Sequence, residues 1–205
     1  MTIKALAFDL DGTLVEMKEF HKLALNDALR ELCNYEIPDE LHYKTLDGLP
    51  TKSKLEYLAK QGLIPFSNHA NINKLKQEYT EKYIKFLEPN NIIITMLENI
   101  DLPKCVVTNS IRKTAIATLK KSKIYTLFDF ILSNEDVSYP KPSPLGYLMA
   151  ASRFSVSPNE MLVIEDNEKG IIAAQEAGCP VWQVSSPSDL DIWAIEAKIE
   201  EYNNG

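Results

Sequence analysis

Downstream of residue 91, short apolar runs alternate with helical stretches four times, and this alternation constrains the fold more than any other feature. Cys105–Val107 precedes Arg112–Lys121, and Phe128–Leu132 precedes Pro144–Phe154. Met161–Ile164 then precedes Lys169–Ala177, and Val181–Val184 precedes Leu190–Glu200. Strands parted by helices cannot pair as hairpins; they form right-handed crossovers, and so predict an α/β fold with a doubly wound parallel sheet. A further apolar run, Ile3–Phe8, stands alone at the N-terminus. It has the continuous hydrophobicity of a strand covered on both faces, and the same sheet is where it finds partners.

Between these parts, apolar residues recur at helical spacing: Phe20, Leu23, Ala24, Ala28 and Leu32, with further helices suited to Glu40–Leu46, Lys52–Gln61 and Asn73–Leu87. Asn34, Gly48, Pro50, Gly62 and Pro65 punctuate them, and strand signals are missing. Residues 16–88 therefore read as a small all-helical insertion, leaving 1–15 and 89–205 as the α/β core.

Composition narrows the function. With 45% hydrophobic and 25% charged residues in 205, disordered, collagen-like and coiled-coil classes are excluded. Asp and Glu (29) outnumber Lys and Arg (22), giving −7, which disfavours nucleic acid or an anionic membrane as partner but not a small anionic substrate. Cys33, Cys105 and Cys179 form no CxxC pair, so neither a disulfide framework nor a zinc site is expected; they fit as small core fillers in a reducing, cytoplasmic compartment. No window approaches the ~20 apolar residues of a membrane span. A monomer is compatible with all of these features.

In open α/β sheets ligands gather at the carboxyl ends of the strands. The first strand ends in Asp9-Leu10-Asp11-Gly12-Thr13, where Gly12 lets the chain turn so that two carboxylates converge. The second ends in Thr108-Asn109-Ser110, at the mouth of a helix where an anion is well held. Lys141 stands between Pro140 and Pro142, and the fourth strand ends in Glu165-Asp166 with Gly170 a turn later. Each has a plainer reading: a calcium loop or turn for Asp9–Gly12, helix caps for Thr108 and Glu165-Asp166, and a solvated loop for Lys141. Their shared placement at strand ends favours chemistry. Carboxylates suit a hard ion such as Mg2+, and Thr108 and Lys141 suit phosphoryl oxygens, a combination fit for phosphoryl transfer.

Four ordered stretches, FDLDGTLV (Phe8–Val15), VVTNS (Val106–Ser110), YPKPSP (Tyr139–Pro144) and VIEDNEKG (Val163–Gly170), resemble the motifs of the haloacid dehalogenase superfamily. The stretches around Ser133–Phe154 and Asn159–Gly178 are similar to its β-phosphoglucomutase and phosphoglycolate phosphatase-like branch. The resemblance implies a Rossmannoid core with a small helical cap at residues 16–88. It implies Asp9 as nucleophile through an aspartyl-phosphate, and Asp11 as the acid that protonates the leaving oxygen and later activates water. It implies Mg2+ held by Asp9, the Asp11 carbonyl and Asp166, with Glu165 adjacent or water-bridged. Thr108, Lys141 and backbone N–H groups near Asn109 would hold the phosphoryl group. The second Asp favours phosphate chemistry over carbon–halogen cleavage.

Departures from the branch pattern fall at Asn167, where Ser is usual, and at Glu16-Met17, where a hydroxyl is usual near the cap hinge. In the cap, His21 matches a histidine that assists phosphoglucomutases. In the polar loop around Gly48–Lys54 no arginine stands where mutases place one; Lys52 and Lys54 either substitute for it or are simply solvated. The resemblance thus implies a Mg2+-dependent phosphatase of a small phosphorylated metabolite, a sugar phosphate or phosphoglycolate. The alternatives are a hexose-phosphate mutase and a non-catalytic phospho-ligand binder. The cap would swing on linkers near Val15–Met17 and Glu88–Asn91 as a lid.

Overall fold

The computed structural model describes residues 2–47 and 49–204. The chain opens with β1 (Ala5–Phe8) and continues into four helices: α1 (Lys18–Cys33), the single turn α2 (Asp39–Leu41) running into a π-helical stretch (His42–Leu46), α3 (Thr51–Lys60) and α4 (His69–Ile84). Then follow α5 (Asn91–Asn99), β2 (Lys104–Val107), α6 (Arg112–Lys121), β3 (Phe130–Leu132), α7 (Leu145–Phe154), β4 (Met161–Glu165), α8 (Glu168–Ala177), β5 (Val181–Gln183) and α9 (Ile192–Asn204). The chain divides into two compact units, residues 17–87 and the remainder.

The larger unit is an α/β sheet of five strands, all parallel, in the order β3-β2-β1-β4-β5. β1 is central, and every residue of it is fully buried, as its unbroken apolar run requires. Phe8 pairs with Val106 on one side and Ile164 on the other, so the residues just past β1, β2 and β4 emerge side by side. Ala5 and Ala7 face a core shared with Tyr147, Ala150 and Ala151 of α7 and Ala173, Ala174 and Ala177 of α8. Small side chains let α7 come close: a Cβ on Gly146 would stand 2.9 Å from Val107 Cγ1.

Several boundaries differ from the sequence expectation, among them that of the helix expected at Asn73–Leu87, which runs His69–Ile84. One helix, α5, is not expected at all. The last helix starts at Ile192 rather than Leu190 because Asp191 accepts a hydrogen bond from Ala194 N (2.8 Å), capping it there. α5 forms against local preference, since Ile92–Thr95 are β-branched. The Asn90 side chain accepts from Ile92 N and Ile93 N, and Ile93, Met96 and Leu97 are buried on one side, which together outweigh that preference.

The smaller unit has its own core, in which Leu25 and Leu29 of α1 meet Leu55 and Leu58 of α3 and Ile72 of α4. Buried Asn26 receives Ile37 N (3.1 Å) and donates to Ile37 O (3.4 Å), tying the chain after α1 back onto the helix. Gly48 lies outside the described residues. Thr51 begins α3, so Lys52 and Lys54 occupy the first turn of a helix rather than a loop. All three cysteines are free thiols; Cys105 and Cys179 are buried, and burial pushes the Cys179 thiol up to about 12.

Candidate active site

Asp9 follows β1 directly and its N–H still donates to Ile164 O (3.0 Å), so the carboxylate leaves from the last rung of the ladder. The chain then doubles back: Leu14 N and Val15 N both donate to Leu10 O (3.0 Å), and Gly12 N donates to Val15 O (2.8 Å). Gly12 takes φ +99°, a conformation that side chains resist, and this is why glycine stands between the two aspartates and the rest of the turn. The turn returns Asp11 to the strand ends, where Ser110 Oγ donates to Asp11 Oδ2 (2.6 Å). It also carries Thr13, fully buried, whose hydroxyl donates to Asp166 Oδ1 (2.7 Å).

Past β2, Thr108 N donates to Leu132 O (2.9 Å), and its hydroxyl accepts from Ser110 N (3.0 Å). The sequence expectation places the Asn109 side-chain amide, with backbone N–H groups near it, among the groups that hold an anion, and for the side chain the structure corrects it. That side chain is engaged elsewhere, since Oδ1 accepts from Lys141 N and Nδ2 donates to Lys141 O, both at 3.0 Å. The amide thus fixes the backbone of the Lys141 loop, whose Lys141–Pro142 peptide bond is cis.

That loop aims the lysine inward. Lys141 is not solvated: its side chain is 5% exposed, and Nζ donates to Asp9 Oδ1 (2.7 Å) and Glu165 Oε1 (2.6 Å). Glu165 is buried at 1% exposure, and its other oxygen accepts from Asp166 N (2.9 Å) and Asn167 N (3.0 Å). Tyr147 OH adds a fourth donor, to Oε1 at 3.2 Å. Asn167 caps α8 by accepting from Lys169 N, so the Asn that replaces the usual Ser is still a hydrogen-bonding cap.

Gly170 makes room for this carboxylate. A Cβ there would lie 1.6 Å from Glu165 Oε1 and 2.0 Å from its Cδ, an overlap that nothing short of moving the glutamate could relieve.

The charges do not balance locally. Asp9, Asp11, Glu165 and Asp166 set four carboxylates near the ammonium of Lys141. Burial pushes the Asp9 carboxyl well above its usual range, and the neighbouring carboxylates add to that push against the pull of Lys141. For Lys141, burial disfavours the charge, but Asp9 and Glu165 outweigh it and hold the amine up as an ammonium. Carboxylate oxygens of Asp9, Glu165 and Asp166 lie within 4.8 Å of one another. An all-oxygen donor set with surplus negative charge fits a hard divalent cation. Glu165 is the poorest ligand of the three, because both of its oxygens already receive protein donors.

The remaining candidates lie in the smaller unit. His21, on α1, places Nδ1 3.2 Å from Lys76 Nζ. Lys52 is exposed and Lys54 half-buried on α3. Sequence reasoning assigns no role to Thr13 or Tyr147, and it reads the Ser110 hydroxyl as a group that holds an anion, where the structure has it donating to Asp11. Thr13 is a neighbour of assigned residues, which is a usable signal; Tyr147, six positions beyond Lys141 inside a helix, offers none.

Residues 6–184 match the sequence profile of the haloacid dehalogenase-like hydrolases, most of the chain and every strand end just described. The chain belongs to that family. Among similar proteins, the pyrophosphatase PpaX of Bacillus cereus (strain Q1) is 31% identical over 196 residues, spanning 90% of this chain and 84% of the relative. Two solved structures share the fold over most of the chain. The β-phosphoglucomutase of Clostridium difficile does so with a TM-score of 0.80, 23% identity and 100% of both chains covered. CbbY from Rhodobacter sphaeroides in complex with phosphate does so with a TM-score of 0.77, 24% identity, and 88% and 85% covered. Membership of the hydrolase family makes the protein an enzyme.

Proposed function

We propose that the protein is a Mg2+-dependent phosphatase that cleaves a small phosphorylated metabolite through an aspartyl-phosphate on Asp9. The observation that carries the reading is Asp9 itself, a buried carboxylate at the last rung of the central strand, 2.7 Å from a buried ammonium. A carboxylate shielded there from bulk water is a nucleophile, and the ammonium beside it is a ready partner for a transferring phosphoryl group.

In this reading an Asp9 oxygen attacks phosphorus and the bond from phosphorus to the leaving oxygen breaks. Asp11 donates its proton to that oxygen, so the leaving group departs as a neutral alcohol. Asp11, now a carboxylate, then takes a proton from water as the water attacks the aspartyl-phosphate, releasing inorganic phosphate and restoring Asp9. Ser110 holds Asp11 in place for both transfers. Lys141 spends two N–H groups on Asp9 and Glu165 and keeps a third for the phosphoryl oxygens; Thr108 supplies a hydroxyl beside it. Asp9, Asp166 and the Asp11 carbonyl are the residues to hold Mg2+, with Thr13 fixing Asp166. When bound, Mg2+ supplies neutralising charge for the phosphoryl oxygens. Glu165, saturated by its four donors, organises Lys141 and the turn into α8 instead of binding the metal.

Residues 16–88 are assigned the part of a cap that governs substrate choice, with His21, Lys52 and Lys54 as its candidate contacts. The substrates to screen are sugar phosphates, phosphoglycolate and, given the pyrophosphatase relative, inorganic pyrophosphate. Activity on an aryl phosphate should require Mg2+ and yield free phosphate. Stoichiometric isomerisation of a hexose 1-phosphate to its 6-phosphate, with little phosphate released, would favour the mutase instead.

A further inference from the structure

We infer that Tyr147 is a positioning residue for Lys141, acting through the Glu165 carboxylate; the inference rests on the phosphate-binding role proposed for Lys141. Tyr147 is the largest of the fully buried side chains, so its hydroxyl has left water and needs a partner. It finds Glu165 Oε1, the same oxygen that receives Lys141 Nζ. Its ring also lies under the ammonium, with Nζ 5.0 Å from the centroid. One side chain therefore touches both members of the buried pair.

The backbone is arranged to make this meeting possible. Gly146 lets α7 press against β2, which brings the adjacent Tyr147 up to the strand ends. Gly170 clears the space into which the Glu165 carboxylate swings. The Glu165 Oε2 atom is pinned by two backbone N–H groups, so the carboxylate can pivot only through Oε1. Tyr147 OH is the second donor on that atom. Without it, Oε1 carries the ammonium alone, and the lysine can be drawn toward Glu165 and away from the phosphoryl position. With it, Oε1 divides its lone pairs between two donors and the lysine keeps its bearing between Glu165 and Asp9.

Tyr147→Phe removes the hydroxyl and leaves the ring. A hydrogen bond to a charged group sets the scale, so KM for an aryl phosphate and the inhibition constant of inorganic phosphate should each rise about tenfold. A role confined to packing would shift the melting temperature and leave both constants alone. In a Lys141→Met background the same tyrosine change should have no further effect on kcat/KM, because the two residues act as one unit. Parental constants in Tyr147→Phe, with Lys141→Met crippled, overturn the inference and spare the role of Lys141. A Lys141→Met enzyme with parental kcat/KM overturns that role, and the inference falls with it. If Lys141→Met fails to fold, the two constants of Tyr147→Phe decide alone: a tenfold rise upholds the inference and parental values overturn it.

Discussion

The two units handle charge in opposite ways. At the strand ends of the α/β unit, Asp9, Lys141 and Glu165 are drawn out of water into a network with excess negative charge. In the helical unit, where Lys76 is also buried, ion pairs keep at least one partner in water: Lys44 with Glu40 (2.8 Å), Arg30 with Asp27 and Glu36, and Lys22 with the exposed Asp39. Exposed pairs are screened and contribute little; buried charges are costly to desolvate and are tolerated only where every partner is in place. The contrast teaches where to look for chemistry. A fold gains nothing in stability from concentrating four acids beside one base, so such a cluster marks a function that stability does not explain.

The comparison breaks if the buried network proves dispensable. Lys141→Ala should have the largest effect: it strands Asp9 and Glu165 without their shared cation, at a cost of about 3–5 kcal/mol in stability, and all but abolishes phosphatase activity. Chemical denaturation and steady-state kinetics on the purified variant check both. Gly170→Ala comes next, displacing the Glu165 carboxylate from its seat. A loss of about 1–3 kcal/mol accompanied by a fall in kcat/KM is expected, and an alanine variant with parental kinetics would remove Gly170 from the account.

Asp136 tests an intermediate case. Burial raises its pKa, but Ser133, through its hydroxyl and N–H, and Arg112 outweigh burial and hold the carboxyl below its usual range. A depressed folded-state pKa means stability that is present above the unfolded value near 3.9 and lost as pH falls through the folded value. Acid denaturation should therefore show Asp136→Asn losing less stability than the parent as pH falls below the usual carboxylate range. At the far end, Lys44→Ala in the helical unit should change stability by less than about 0.5 kcal/mol. A larger loss there would erase the contrast between the units.

Much of the α/β unit is legible in the chain itself. The unbroken run at β1, the strand–helix alternation and the glycine between Asp11 and Thr13 each have a local physical cause, and local causes leave local traces. α5 is not legible, because its stability comes from an asparagine cap and burial that overrule four consecutive β-branched residues, Ile92–Thr95. The candidate site divides along the same line. Asp9, Asp11, Thr108 and Asp166 announce themselves by residue type just past strand ends, and Lys141 by the prolines on either side of it. That Glu165 would be saturated by four donors, that the Asn109 amide would clamp the Lys141 backbone, and that Tyr147 would reach Oε1 are facts of distant chain segments meeting. No spacing along one segment encodes them.

The most direct test of the central claim is whether phosphate becomes covalently attached to Asp9. The protein is mixed with an aryl phosphate and Mg2+, quenched in acid within the first turnover, and its peptides are mapped by mass spectrometry. The account predicts phosphate on the peptide carrying Asp9, absent from a folded Asp9→Asn variant that has lost turnover. Full hydrolytic activity in Asp9→Asn, or phosphate trapped on another residue, would contradict it.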